Sequence, residues 1–105
     1  MKTRGLVGVM GRGKMPRAAK RRLEAIVERW HEDHNLTRSE RAVLAAVLRG
    51  LSNKEVGHCL GTSVPTVRTQ LSSILRKVGV HSRTELAFMA FCAAFDGAES
   101  DVSVP

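Results

Sequence analysis

Residues 63–78 carry side chains that could recognise a nucleic acid. Read as a helix, this stretch has one apolar stripe at spacings of four, three and four, made by Val67, Leu71, Ile74 and Val78. The opposite side holds small hydroxyls around a central Arg76, and the stretch contains no carboxylate. Hydroxyls are compact donors and acceptors for base edges, and without an anion phosphate is not repelled. The alternative, an ordinary amphipathic surface helix, is not excluded by this stretch alone.

The composition favours a polyanionic partner and one small domain. The chain has 105 residues, a formal net charge of +7 and 43% hydrophobic residues. Two cysteines do not make a disulfide framework, so a reduced, cytoplasmic setting is expected. No apolar run approaches the roughly 20 residues that span a bilayer, so no membrane partner is expected.

Three capping boxes divide the second part of the chain into helices. Each has Ser or Thr followed three residues later by Glu, at 37–40, 52–55 and 82–85, and each precedes an apolar periodic run. Val56, Cys59 and Leu60 are expected to form the buried face of a short helix, with Cys59 directed into the core. Residues 61–63, Gly-Thr-Ser, would join this short helix to the one at 63–78 with the spacing of a helix-turn-helix.

The first 35 residues read as an arm and an added helix. Residues 1–15 are rich in glycine and basic residues, which predicts a flexible basic arm; it is either solvated or placed in a minor groove. Residues 16–35 begin with a proline and carry a helical apolar stripe that would dock on the domain or on a second subunit. His31 and His34 have a spacing seen in metal sites, but no further ligands accompany them, and no metal is expected.

The last predicted helix is apolar over much of its circumference. One side carries Leu86, Met89, Ala90 and Ala93, and another carries Phe88, Phe91, Cys92 and Phe95. Such a helix needs a cover, either the Trp30 helix of the same chain or a partner subunit. Residues 96–105 then read as an acidic disordered tail.

The ordered motifs from residue 36 to residue 89 resemble the DNA-binding domain of the LuxR/NarL-type (GerE-like) regulators. They include Leu-Thr-Arg-Ser-Glu at 36–40 and Gly-Leu-Ser-Asn-Lys-Glu-Val at 50–56. The remaining matches lie at 43–44, 60–63, 66–67, 77–80 and 82–86. The resemblance implies an all-α, four-helix helix-turn-helix domain over 36–95, preceded here by the additional N-terminal helix. In this family the third helix enters the major groove and the fourth commonly makes the dimer contact.

The resemblance also implies roles for particular residues. Base contacts would come from the first half of the recognition helix, at Arg68, Thr69 and Ser72. DNA backbone contacts would come from Asn53, Lys54, Thr66, Arg76 and Lys77. The basic run Lys20, Arg21 and Arg22 is a further candidate for the backbone. The dimer interface would use Phe88, Phe91, Cys92 and Phe95.

Three residues depart from the family pattern, and so does the architecture. Gln70 stands where histidine is frequent, Gly57 where alanine is frequent, and Pro65 lies one place later than usual. Gln70 bears on the DNA sequence that the domain would prefer, and Gly57 bears on how its helix packs. The 35 residues before residue 36 are too few for the receiver or ligand domain that family members usually carry, so a stand-alone regulator is expected.

The sequence therefore predicts a sequence-specific, DNA-binding transcriptional regulator, located with the nucleoid in the cytoplasm, that binds a two-fold DNA site as a homodimer without a cofactor. The alternative is a helix-turn-helix adaptor or antagonist that contacts another regulator. An enzyme is the least favoured class, because no nucleophile–base pair stands out and the basic glycine string at 11–14 lacks phosphate-loop spacing.

Overall fold

The computed structural model describes residues 15–95, and that part of the chain is all-α. Five helices follow in order: α1 (Arg17–Asp33), α2 (Arg38–Leu48), α3 (Asn53–Leu60), α4 (Val64–Val78) and α5 (Arg83–Ala94). The predicted four-helix domain with an added N-terminal helix is confirmed. The predicted arm, apart from its last residue, and the predicted acidic tail lie outside the described residues.

Side-chain caps fix where the helices begin. Thr37 and Ser52 each accept a hydrogen bond from the backbone of a glutamate three residues on, and Glu40 and Glu55 bond back to the capping residue's N–H. The third expected box is only half formed. Ser82 accepts from the Glu85 backbone, but the Glu85 carboxylate accepts from the N–H of His81 at 2.6 Å. The prediction of a third complete capping box is therefore wrong. The Glu85 carboxylate bonds the N–H of His81, one residue before the capping residue Ser82, instead of the N–H of Ser82.

The core is aliphatic and lies where the helices meet. All four members of the α4 stripe are buried, as predicted. They pack with side chains from every other helix and with residues of the connections: Ile26, Val27, Trp30, Leu36, Val43, Leu44, Ala46, Val47, Val56, Val80, Leu86 and Ala90. Burying such residues contributes roughly 1.5–3 kcal/mol each to stability, which fixes α4 by its inner face and leaves the outer face to solvent.

Two glycines shape the connection between α3 and α4. Gly61 ends α3 in the left-handed region with φ 68°, where a side chain would be strained. Gly57 lies inside α3, and a Cβ at this position would stand 2.7 Å from the Thr62 carbonyl oxygen. The close approach explains why glycine is tolerated here despite a helix propensity about 1 kcal/mol worse than that of alanine.

The inner face of α3 is rotated from the one expected. Val56 and Gly57 are buried, whereas Cys59 is exposed and Leu60 is 40% exposed. The prediction that Cys59 points into the core is therefore wrong. The reason is that α3 packs through Val56 and Gly57. The helix ends at Leu60, so no further helical turn follows that could bury Leu60.

The added helix α1 packs in cis against α2 and α5. Its buried residues are Ile26, Val27 and Trp30. Arg41 of α2 bonds the Glu28 carboxylate of α1 across their contact. Two partners were considered for the apolar surface of the last helix, the Trp30 helix of the same chain and a second subunit. The Trp30 helix, α1, packs against α5, although only along part of the α5 surface.

Candidate nucleic-acid interface

The outer face of α4 is open to solvent. Arg68, Thr69 and Ser72 are all exposed and lie within five residues of one another on one side of the helix. Ser63 caps the helix by accepting from the backbone N–H of Thr66 at 3.2 Å, and its hydroxyl donates to the Thr66 hydroxyl at 2.9 Å. The structure therefore brings the three predicted base-contact residues together on a surface that carries hydrogen-bonding groups and no negative charge.

Glu40 joins α2 to the second half of α4. Its Oε1 accepts from the Lys77 Nζ at 2.8 Å, and its Oε2 accepts from the Ser73 hydroxyl at 2.5 Å. Oε1 also accepts from the Thr37 N–H in the capping box, at 2.9 Å. Lys77 donates as well to the Asn35 carbonyl oxygen at 3.2 Å. One buried carboxylate thus ties the recognition helix to the start of α2.

The pKa of Glu40 follows from these contacts. Burial opposes ionisation and would raise the pKa, but hydrogen bonds from Lys77, from Ser73 and from the Thr37 backbone, with the charge of Lys77, outweigh it. The net effect lowers the pKa of Glu40 to about 2. At neutral pH the carboxylate is therefore ionised and keeps all its hydrogen bonds.

The predicted backbone-contact residues fall into two groups. Lys54, Thr66 and Arg76 are exposed beside the open face of α4 or at the start of α3, where a phosphate could reach them. Asn53 and Lys77 are half-buried and already engaged. The Asn53 side-chain oxygen accepts from Arg83 at 2.6 Å, and Lys77 is paired with Glu40. A phosphate contact by Lys77 would therefore compete with an internal ion pair, which sequence alone did not indicate.

The basic run on α1 lies apart from α4. Lys20, Arg21 and Arg22 are exposed near the start of α1, a helix that packs on α2 and α5. The Arg22 guanidinium stands 4.9 Å from the centre of the Phe95 ring, in cation–π geometry. The structure thus does not bring these cations together with the predicted base-contact residues.

The last helix exposes part of its apolar surface. Phe88 and Phe91 are 66% and 61% exposed, Cys92 is exposed, and Phe95 is half-buried. The rings of Phe91 and Phe95 contact each other with centres 4.8 Å apart. Leu86 and Ala90 on the other side of α5 are buried and α5 packs against α1, so the predicted dimer face is left largely uncovered by the described residues.

Several features of this surface were missed in the sequence. Glu40 was recognised as a capping residue but not as the partner of Ser73 and Lys77, which lie 33 and 37 residues away. The contacts of Arg83 with Leu51 and Asn53 were also missed. Helical periodicity gave no signal for the first of these, because it places Ser73 on the side of α4 opposite the apolar stripe, whereas its hydroxyl bonds Glu40.

The described residues offer little for other kinds of site. Among residues 15–95, no three His, Cys, Asp or Glu side chains converge to hold a metal ion. None of the helices in this part of the chain is both long and apolar enough to cross a bilayer.

A short helix, a three-residue turn and a capped helix with an open polar face define a helix-turn-helix domain. Residues 34–90, more than half of the chain, match the family described as bacterial regulatory proteins, luxR family. The chain therefore belongs to the luxR family of bacterial regulatory proteins, which are DNA-binding transcription regulators and not enzymes.

Curated relatives agree with this assignment. The chain is 39% identical over 69 residues to a nitrate/nitrite response regulator protein homolog of Haemophilus influenzae, covering 63% of this chain and 33% of the relative. It is 40% identical over 78 residues to the transcriptional regulatory protein YdfI of Bacillus subtilis, covering 71% of this chain and 37% of the relative. The chain thus spans about a third of the length of these relatives. No solved structure matches it significantly.

Proposed function

We propose that this chain regulates transcription by reading a specific DNA sequence with α4. The observation that carries the proposal is the exposure of Arg68, Thr69 and Ser72 on one face of a capped helix that has no carboxylate. Arg68 would pair with O6 and N7 of a guanine, the commonest specific contact in the major groove. Thr69 and Ser72 would contact neighbouring base edges or a thymine methyl group.

Backbone contacts would set the position of α4 on the duplex. The side chains of Lys54, Thr66 and Arg76 are exposed and would contact phosphates on either side of the groove. Asn53 would contribute the amide group that its bond to Arg83 leaves available. Lys77 would contribute chiefly by holding α4, since its ammonium faces Glu40. A cytoplasmic location at the nucleoid follows if this proposal holds.

We further propose that the protein binds a two-fold DNA site as a homodimer through α5. The exposed rings of Phe88 and Phe91 form an apolar patch on a helix whose other side is already packed against α1. A second copy would bury the same patch on both subunits, and two recognition helices would then meet successive major grooves.

Replacing Lys54 with alanine is expected to make DNA binding less sensitive to salt. Each lost phosphate contact releases one fewer condensed counterion, so the slope of log K against log salt should become shallower by about 0.9 for each bound subunit, or about 1.8 for the dimer. Fluorescence anisotropy with a labelled duplex from 50 to 200 mM salt measures this slope. Arg29→Ala, which removes an exposed cation from α1, is the matched control and should leave the slope unchanged. An equal change in both variants would remove Lys54 from the interface.

Replacing Phe88 and Phe91 together with serine is expected to dissociate the dimer. Burial of an aromatic side chain stabilises by roughly 1.5–3 kcal/mol, so the dimer dissociation constant should rise at least about 100-fold. Sedimentation equilibrium measures the change, and circular dichroism should show an intact fold because both rings are exposed. Ala87→Ser on the same helix is the control. A wild-type chain that stays monomeric at high concentration, with one protein per DNA site, would contradict the homodimer.

The same apolar patch also favours a second candidate function. An adaptor or antagonist could use Phe88 and Phe91 to pair with another regulator instead of with its own copy. A gel-shift experiment with the purified chain separates the two functions. A regulator retains one duplex strongly over random competitor, whereas an adaptor retains all duplexes weakly and equally.

A further inference from the structure

A cavity of about 590 Å³ lies between α1 and α2. Its floor is apolar and includes Leu23, Val27 and Ala45, and its rim carries Lys20, Arg21 and Arg49. We call this feature the α1–α2 groove. Ala45 lines it from α2 and Arg49 from the position that directly follows α2, whereas Glu40 of α2 bonds to α4. The groove therefore opens on a different face of α2 from the one that holds the recognition helix.

The α1–α2 groove has a surplus of positive charge. Its lining carries the cations Lys20, Arg21, Arg41 and Arg49 against the carboxylates Glu24 and Glu28, which leaves a net charge of +2, and Glu28 is paired with Arg41. Lys20, Arg21 and Arg49 are exposed, and within residues 15–95 none of them has a carboxylate within ion-pair distance. A partner that combines carboxylates with small apolar side chains would match both the rim and the floor.

The chain itself supplies such a segment close to the groove. Phe95, the last described residue, packs its ring against Arg22, the neighbour of Arg21 on α1. Residues 96–105 then carry Asp96, Glu99 and Asp101 with Val102 and Val104, and they contain no Lys, Arg or His. Eight extended residues reach about 27 Å, and a helix is only about 10–12 Å across, so a segment starting at Phe95 can pass around α1 into the groove.

We propose that residues 96–105 bind in the α1–α2 groove of their own chain. Their carboxylates face Lys20, Arg21 and Arg49, and their valines cover the apolar floor. Bound in this way, the segment shields the α1 cations from other polyanions. This consequence rests on the proposed DNA binding, because it leaves α4 as the main surface for DNA and so raises the ratio of specific to non-specific affinity.

The binding is tested by paramagnetic relaxation on the full chain. A nitroxide is attached at Ser103→Cys in a chain that also carries Cys59→Ser and Cys92→Ser, with a diamagnetic label as reference. At low salt the amide signals of residues 20–24 and 45–49 should broaden, while those of residues 66–72 should not. The triple variant D96N/E99Q/D101N should lose the broadening, and the control E32Q/D33N, which neutralises carboxylates at the far end of α1, should keep it.

Two results would overturn the proposal. One is the absence of broadening at residues 20–24 and 45–49 at low salt. The other is broadening that appears only when the labelled chain is mixed with an isotope-labelled, spin-free copy, since the segment would then occupy the groove of a second molecule. Neither result depends on DNA, so the proposed function stands or fails separately.

The shielding is tested with random-sequence duplex. In the D96N/E99Q/D101N variant, three uncovered cations should raise the affinity at low salt at least threefold and steepen the salt slope by about 1–3 units. The variant K20Q/R21Q in the same background should return both values toward those of the wild type. An unchanged affinity and slope would refute the shielding.

Discussion

Replacing Glu40 with alanine is expected to lower the free energy of unfolding by about 3 kcal/mol. Glu40 is 6% exposed and its carboxylate accepts from Lys77, Ser73 and the Thr37 backbone, so its removal takes away an acceptor from each of these donors and leaves the Lys77 ammonium without its counter-charge. Urea unfolding followed by circular dichroism measures the loss. Glu32→Ala, which removes an exposed carboxylate from α1, is the control and should change stability by less than about 0.5 kcal/mol.

The contribution of Glu40 is also expected to depend on pH. The pKa of Glu40 is about 2 in the folded chain and near the ordinary 4.5 when unfolded. Because the folded pKa is the lower one, the stabilisation is complete above pH 4.5 and is lost as the pH falls toward 2. The stability difference between the wild type and Glu40→Gln should therefore shrink by about 3 kcal/mol between pH 5 and pH 2. A difference that stays constant over this range would show that the charge of Glu40 is not what stabilises the fold.

Replacing Arg68 with alanine is expected to weaken binding to the preferred two-fold DNA site about 5- to 150-fold per half-site, because each subunit of the proposed dimer loses one pair. This range corresponds to roughly 1–3 kcal/mol for one bidentate pair between arginine and guanine. Binding to random duplex should change little, because a single charge among many contributes little to non-specific affinity. Anisotropy titrations with the two duplexes at one salt concentration measure both effects.

Arg68→Lys is the matched control for this prediction. Lysine keeps the charge but not the planar fork that pairs with O6 and N7, so the specific site should still lose affinity while random DNA binding is retained. Equal losses on both duplexes in Arg68→Ala, restored by lysine, would reduce Arg68 to a phosphate contact.

Much of the domain could be predicted because its signals are local. Thr37 with Glu40 and Ser52 with Glu55 are capping boxes only three residues long, and the structure contains both. The apolar stripe of α4 needs only helical periodicity, and all four of its members are buried. The same periodicity predicts that the opposite face of α4 is open to solvent, and the family resemblance, not the periodicity, singled out Arg68, Thr69 and Ser72 on this helix.

The contacts between distant segments could not be predicted in the same way. Periodicity does not show that Lys77 meets Glu40, because their pairing depends on how α2 and α4 cross. The same holds for Arg22, which was a candidate for phosphate and lies against Phe95. Cys59 lies three residues after Val56, a helical spacing that predicted a buried side chain, but it is exposed. The helix α3 is only eight residues long, and it buries Val56 and Gly57 instead.

The open face of α4 is proposed to read a specific DNA sequence. Selection of bound duplexes from a random-sequence pool, followed by sequencing, tests it most directly. We expect enrichment of one two-fold motif with a guanine in each half-site, and loss of the preference for that guanine when the selection is repeated with Arg68→Ala. A pool that shows no enrichment, or a motif that Arg68→Ala selects unchanged, would contradict the claim.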